Sequence, residues 1–266
     1  MKVRVVQPPY FYGENPDQKI AEFLIEELQK AQKGEIIVLP EYSNAGGLSD
    51  AKREMEALDR AEIMKIKAAE VAKEKEAYVA INVLERRDGQ IKNSTYLFNT
   101  RGEVSFIYDK IHLPPSEVDL GVSYGAGACC CEVDGIRFGF LTCYDIYFNE
   151  QIEYLASQKV DVIIFPGYQR GERVDIIRAQ TKLLAFRCNA NVLKSSYSMN
   201  DDEKGGCSMI VAPDGKVVKD MGKEVGSATA QIDVKFKHVR NAGFGKGLIR
   251  NDKFIDDGLR PEVFNK

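Results

Sequence analysis

The stretch Phe138-Gly139-Phe140-Leu141-Thr142-Cys143-Tyr144-Asp145-Ile146-Tyr147-Phe148-Asn149-Glu150 decides how the chain is read. Its first half is an apolar strand, reached from an earlier strand at residues 130–133 through Asp134-Gly135, a strong two-residue hairpin signal. Its second half leads into a helix predicted over residues 149–157. A thiol therefore stands where a strand turns sharply toward a helix. Such a turn lifts the side chain out of the sheet and points free backbone N–H groups, that of Tyr144 first, at its reaction space as part of an oxyanion hole. The positive end of the helix is expected to lower the thiol pKa. Taken alone, a strand-end cysteine is more often inert packing.

Working outward, the same grammar recurs. Glu35-Ile36-Ile37-Val38-Leu39 is a short apolar run stopped by Pro40, which marks a buried strand and leaves Glu41 just past its end. Val160 to Phe165 is a second such run, halted by Pro166. The two segments, Ile36 to Tyr42 and Val162 to Tyr168, both run strand, proline, loop, tyrosine, which fits either an internally pseudo-symmetric sheet pair or local convergence of buried strands. Further strands are expected at residues 3–7, 78–84, 94–98, 104–108, 191–196, 207–211 and 216–219, and helices follow Asn15-Pro16 and cover residues 59–76 and 174–189. Residues 238–266 show no period and read as a loop-rich tail that packs on a partner subunit.

Composition sets the outer bounds. A chain of 266 residues with 44% hydrophobic and 29% charged residues buries a sizeable core, and residues 1–266 read as one domain. A net charge of -3 leaves no basic excess for phosphates, so the partner is a small molecule or another subunit rather than nucleic acid or a membrane. The opening apolar run is too short for a signal-peptide core, so the cytoplasm is expected. Six cysteines, three of them consecutive at 129–131, do not form a spaced disulfide framework, and with no C-x-x-C pair and only His112 and His238, no metal is expected.

Histidine scarcity directs the search for a base toward carboxylates. Glu41 is the strongest, because open α/β sheets gather ligand groups at strand ends and partial burial raises a carboxyl toward neutrality. Lys110, in Phe106-Ile107-Tyr108-Asp109-Lys110-Ile111-His112-Leu113-Pro114, ends another apolar strand; its ammonium would stabilise an oxyanion and a neighbouring thiolate. Glu117 is a second carboxylate that can orient Lys110 or carry a proton to a leaving amine. Tyr42, Asn44, Tyr147 and Tyr168 are pocket candidates by position.

Strand-Pro-Glu at residues 39–41, Tyr108-Asp109-Lys110-Ile111-His112-Leu113, and Gly139 through Glu150, in that order, resemble the glutamate, lysine and cysteine motifs of the nitrilase superfamily of carbon–nitrogen hydrolases. Residues 178–189 and 206–215 resemble its later helix and hairpin, so the likeness runs from about residue 3 to residue 233. It implies a four-layer αββα sandwich pairing through a helix face into an αββα–αββα homodimer. It also implies a Glu-Lys-Cys triad, no cofactor, and a small linear amide or carbamoyl amine as substrate. Nitrile hydrolysis and N-acyl transfer are alternatives on the same fold. Ile146 and Tyr147 stand where members acting on carboxylate-bearing substrates often carry arginine, and Asn149 replaces a common proline. Arg170 or Arg173, after Phe165-Pro166, are candidates for the missing cation. Two rivals are a histidine-dependent thiol peptidase using His112 or His238 and a catalytically idle binding protein.

Overall fold

The computed structural model describes residues 1–48 and 51–264. The chain runs β1 (Lys2–Gln7), α1 (Pro16–Gln29), β2 (Ile36–Val38), α2 (Ala51–Glu56), α3 (Arg60–Glu74), β3 (Tyr78–Arg87), β4 (Gln90–Phe98), β5 (Val104–Asp109) and α4 (Pro115–Asp119). It continues through β6 (Cys130–Val133), β7 (Ile136–Phe140), α5 (Asn149–Ser157), β8 (Val162–Pro166), α6 (Val174–Cys188), β9 (Asn191–Ser195), β10 (Met209–Val211), β11 (Val217–Asp220) and β12 (Gly226–Gln231). It closes with β13 (Val239–Asn241), β14 (Leu248–Arg250), α7 (Asn251–Asp256) and α8 (Pro261–Phe264).

Period-two alternation explains the layers. On β2, Ile36 and Val38 join the core between the two sheets, while Ile37 and Leu39 turn outward to Leu24 and Leu28 of α1 and Val71 of α3. On β3, Tyr78 and Ala80 face inward and Val79, Ile81 and Val83 outward. The second sheet does the same with α6, whose Leu184 and Ala185 pack against the shared core. Helices, sheet, sheet, helices is the four-layer αββα order.

The two six-stranded sheets have the same internal plan. In the order β12-β1-β2-β3-β4-β5 the pairings run antiparallel, parallel, parallel, antiparallel, antiparallel. In the order β6-β7-β8-β9-β10-β11 they run identically. β2 and β8, the strands of the two echoing segments, occupy equivalent places, which decides for pseudo-symmetry. Their C-terminal ends deliver Glu41 and Tyr168.

Three local expectations change. β12 has no counterpart among the expected strands: Gly-Ser-Ala-Thr-Ala-Gln has little β signal, yet it pairs with β1 along its whole length, an outcome of tertiary context. Asn15 starts α1 through its carbonyl, which receives the Lys19 N–H at 3.2 Å, and not through a side-chain cap. Residues 238–264 are not loop-rich: a β13–β14 hairpin and α7 dock on the chain's own α6, where Asn189 donates to Asp252 at 2.9 Å and Asn251 donates to the Phe186 carbonyl at 2.7 Å.

Candidate active site

β7 ends at Phe140, and Cys143 comes three residues later in the left-handed region at φ 46. A non-glycine residue there costs on the order of 1–3 kcal/mol and persists only where its surroundings over-determine it. The surroundings are a capping box between Thr142 and Asp145, whose Oδ2 accepts the Thr142 N–H at 2.7 Å. Asp145 is fully buried and also accepts the Tyr108 hydroxyl at 2.6 Å and the His112 N–H at 2.9 Å. The elbow is thus tied to β5 and to the segment carrying Lys110.

The elbow leads into one turn of 3₁₀ helix, Cys143–Tyr147, and α5 starts only at Asn149. The expected helix-end acidification of the thiol is absent for this reason. Burial pushes the Cys143 thiol up and the Glu41 charge pushes it further, outweighing Lys110 and the Tyr168 backbone N–H directed at the sulfur. At rest the cysteine is a neutral thiol beside a carboxylate.

Lys110 lies in the carboxylate cluster with its side chain 1% exposed, its Nζ 2.8 Å from Glu41 Oε1 and 2.9 Å from Glu117 Oε1. Burial alone would lower its pKa; the charges of Glu41 and Glu117 win and raise it. One ammonium faces two carboxylates, so the second proton has a natural home. Burial first, with the Glu41 charge, raises the Glu117 carboxyl against the pull of Lys110. Its Oε2 is buried with no hydrogen-bond partner among the described residues, so a proton can reside there.

Residues outside the three motifs hold this cluster. Asn93 on β4 donates to Glu41 Oε1 at 2.8 Å and to Glu117 Oε1 at 2.9 Å. Asn82 on β3 fixes Asn93 by donating to its Oδ1 at 2.7 Å and also receives the Tyr42 N–H at 2.9 Å. Tyr42, itself left-handed at φ 56, donates its hydroxyl to Glu117 at 2.7 Å. Tyr197 donates to the Glu41 and Tyr42 carbonyls at 2.8 and 3.0 Å. Sequence reading missed Asn82, Asn93 and Tyr197; the available signal was Asn93-Ser94-Thr95, three polar residues in a row inside a strand, all buried.

A cavity of about 290 Å³ opens over the cluster, and its walls include Glu41, Tyr42, Lys110, Glu117, Cys143, Tyr168 and Arg170. Three pocket candidates lie elsewhere. The Asn44 amide is consumed by the backbone of Leu84 and Ala57 within the core. Tyr147 points away to Glu172, and Arg173 pairs in solvent with Asp175 at 2.7 Å. Neither histidine lines the cavity: His112 binds Asp145 and stacks 3.8 Å from Phe148, and His238 sits in the tail hairpin region. A larger groove, about 470 Å³ beside His112, Cys129 and Tyr154, lacks any buried acid–base set, so size does not choose the site. No group of His, Cys, Asp and Glu among the described residues is arranged to hold a metal ion.

Residues 2–241 match the family model described as carbon-nitrogen hydrolase. The chain is 26% identical over 228 residues to a 2-oxoglutaramate amidase of Bacillus subtilis, covering 84% of this chain and 87% of that protein. It is 26% identical to an omega-amidase of Xenopus laevis, covering 78% and 80%. Among solved structures, an amidase of the nitrilase superfamily from Nesterenkonia superposes with a TM-score of 0.75 at 15% identity, over all of this chain and 96% of that one. No helix among the described residues is long and apolar enough to cross a membrane. The two-sheet sandwich is the fold of that nitrilase-superfamily amidase, and the matched span leads to one assignment: the chain belongs to the carbon-nitrogen hydrolase family.

Proposed function

We propose that the protein hydrolyses the carbon–nitrogen bond of a small linear amide or carbamoyl amine through a thioester on Cys143. The observation that carries this reading is the buried contact of Lys110 with both Glu41 and Glu117 at the floor of the cavity that Cys143 faces. Glu41 takes the thiol proton as sulfur attacks the amide carbon, so a neutral resting thiol needs no separate ionisation. The Lys110 ammonium and the Tyr144 backbone N–H hold the tetrahedral oxyanion. Collapse expels ammonia or an amine, which receives the proton from Glu41, and leaves the acyl group on sulfur. Glu41 then removes a proton from water, the water oxygen attacks the thioester, and the thiol leaves reprotonated. Glu117 keeps Lys110 placed and buffers the proton count.

Support comes from the amidases among the relatives and from a glutamate-to-glutamine mutant of the Nesterenkonia amidase, in which the acetamide moiety of fluoroacetamide adds covalently at the active-site cysteine. Amide hydrolysis is favoured over nitrile hydrolysis and acyl transfer on the same ground. All six cysteines are free, in keeping with a reducing cytoplasm, and a helix face of α5 and α6 is our choice for the pairing surface of a homodimer. The decisive experiment follows ammonia release from a panel of amides, carbamoyl amines and nitriles, with mass spectrometry of trapped enzyme. An acyl mass on Cys143, lost in Cys143→Ala with turnover, is expected. Full turnover in Cys143→Ala without an adduct in the wild type would overturn the scheme.

A further inference from the structure

We infer that Thr95 is a positioning residue for the reaction: its buried hydroxyl holds the nucleophile elbow of one sheet in register with the base carboxylate of the other. The inference rests on the assignment of Glu41 as the base for Cys143. Those two residues arrive from different sheets. Glu41 follows β2 and Lys110 follows β5 in the first six-stranded sheet, whereas Cys143 follows β7 in the second. Between the sheets lies an apolar core to which Val5, Val38 and Ala80 contribute from one side and Phe138 and Phe140 from the other. Apolar burial is non-directional: it presses the sheets together and sets their lateral placement less sharply than a hydrogen bond does. A proton passing from sulfur to carboxylate needs that placement.

Thr95 supplies it within a chain of buried side chains. Asn82 on β3 receives the N–H of Tyr42, the residue after the base, at 2.9 Å, and donates to the Thr95 hydroxyl at 3.1 Å. The Thr95 and Thr142 hydroxyls share a hydrogen bond at 3.2 Å, and Thr142 is the residue before the nucleophile. The Thr142 side chain also receives the Asp145 N–H in the capping box that holds Cys143 in its left-handed conformation, so the strut reaches the strained residue itself. Asn82, Thr95 and Thr142 are all fully buried. A hydroxyl gives up its hydration to lie there, and valine, of the same shape, would fill the place without that loss. What the hydroxyl adds is direction. Other polar crossings beside the site hold other pairs: Tyr108 donates to Asp145 at 2.6 Å close to Lys110, and Tyr197 donates to the Glu41 carbonyl at 2.8 Å without reaching the elbow.

The test uses the full chain and its Thr95→Val and Thr95→Ser variants. Ammonia release from the fastest amide of the panel gives kcat and KM, and iodoacetamide labelling of Cys143 against pH gives the midpoint of the thiol. Thr95→Val removes the strut and keeps the shape; kcat should fall by at least about tenfold with KM within about twofold. Because the Glu41 charge raises the Cys143 thiol, loosening the pair should also move the labelling midpoint to lower pH. Thr95→Ser keeps the hydroxyl and should restore both. A hydroxyl that served folding alone would, on removal, lower Tm and leave kcat and the midpoint where they are. If Thr95→Val does not fold, Thr95→Ala, which adds no bulk, is read by the same two assays. A folded variant without the hydroxyl that keeps the wild-type kcat or midpoint, or a loss that Thr95→Ser does not restore, overturns the inference and leaves the amidase reading intact. If the wild type turns over no amide and forms no thioester, the amidase reading falls, and the labelling midpoint alone then decides whether Thr95 couples Glu41 to Cys143.

Discussion

Lys194, on β9 beneath the site, offers the sharpest test of the energetics. Its side chain is fully buried, its Nζ has no hydrogen-bond partner among the described residues, and it lies 5.5 Å from the centroid of the Phe165 ring. Burial lowers its pKa from the ordinary 10.5 to about 8, despite the opposing pull of Cys207, Cys143, Asp220 and Glu41. At about 1.4 kcal/mol per tenfold change in proton affinity, that fall is a cost of about 3 kcal/mol to the folded state at pH 7. Lys194→Met keeps an unbranched side chain of similar length and removes the charge. Allowing about 1 kcal/mol for the lost cation–ring contact, the variant should be about 2 kcal/mol more stable at pH 7. In a chain of this size that is a rise in Tm of about 4–8 °C. The sign with pH comes from linkage. Below pH 8 the lysine is charged in both states and the cost is complete; between pH 8 and 10.5 the folded protein loses the proton first and the cost is relieved. Urea unfolding at pH 7, 9 and 10.5 should show the advantage of the variant shrinking as pH rises. A variant less stable than wild type at pH 7, or an advantage independent of pH, would refute the account of Lys194 as an uncompensated buried charge.

Removing the Glu41 charge should make Cys143 more acidic, since that charge raises the thiol; in Glu41→Gln the midpoint of iodoacetamide labelling of Cys143 should fall in pH while turnover is lost, and an unchanged or higher midpoint would contradict the electrostatics. Asn93→Ala strips one donor from each of Glu41 and Glu117 and should lower kcat by at least about tenfold with folding retained by circular dichroism. Gly125→Ala would place a Cβ 2.1 Å from the Asp109 carbonyl oxygen and 3.0 Å from that of Lys110, so the backbone carrying the ammonium must shift; kcat should drop by about tenfold or more, and wild-type turnover would show the contact to be harmless. At the tail, burial would raise the Asp252 carboxyl, but Arg250 and Asn189 hold it well below the usual range, so its contribution is present above about pH 4 and is lost as pH falls through the folded value. Asp252→Ala should cost about 1–3 kcal/mol in urea at pH 7 and progressively less in acid.

Much of the molecule was legible because its signals are local. Prolines 40 and 166 end buried strands that are stiff and β-branched, and Asp134-Gly135 closes a hairpin that leads directly to Cys143. Less was legible where the determining contact lies far along the chain. β12 is a strand only because β1 offers it a paired edge more than two hundred residues away in sequence. Asn44 looked like a pocket residue because it lies close after Glu41, yet its side chain completes the hydrogen bonding of Leu84, forty positions on.

The sequence by itself determined the order of Glu41, Lys110 and Cys143, each placed just past a strand end, because strand periodicity and its proline, glycine and aspartate stops are written in neighbouring residues. It also directed the search for a base toward carboxylates, because the chain holds only two histidines. Only the tertiary structure decided the charge state of the cluster. One buried ammonium between two carboxylates and Asn93 bridging both acids depend on distances under 3 Å between residues 7 to 69 positions apart, and the raised thiol depends on burial. Electrostatic energies at such separations turn on burial and fractions of an ångström, quantities that residue spacing along a chain does not encode.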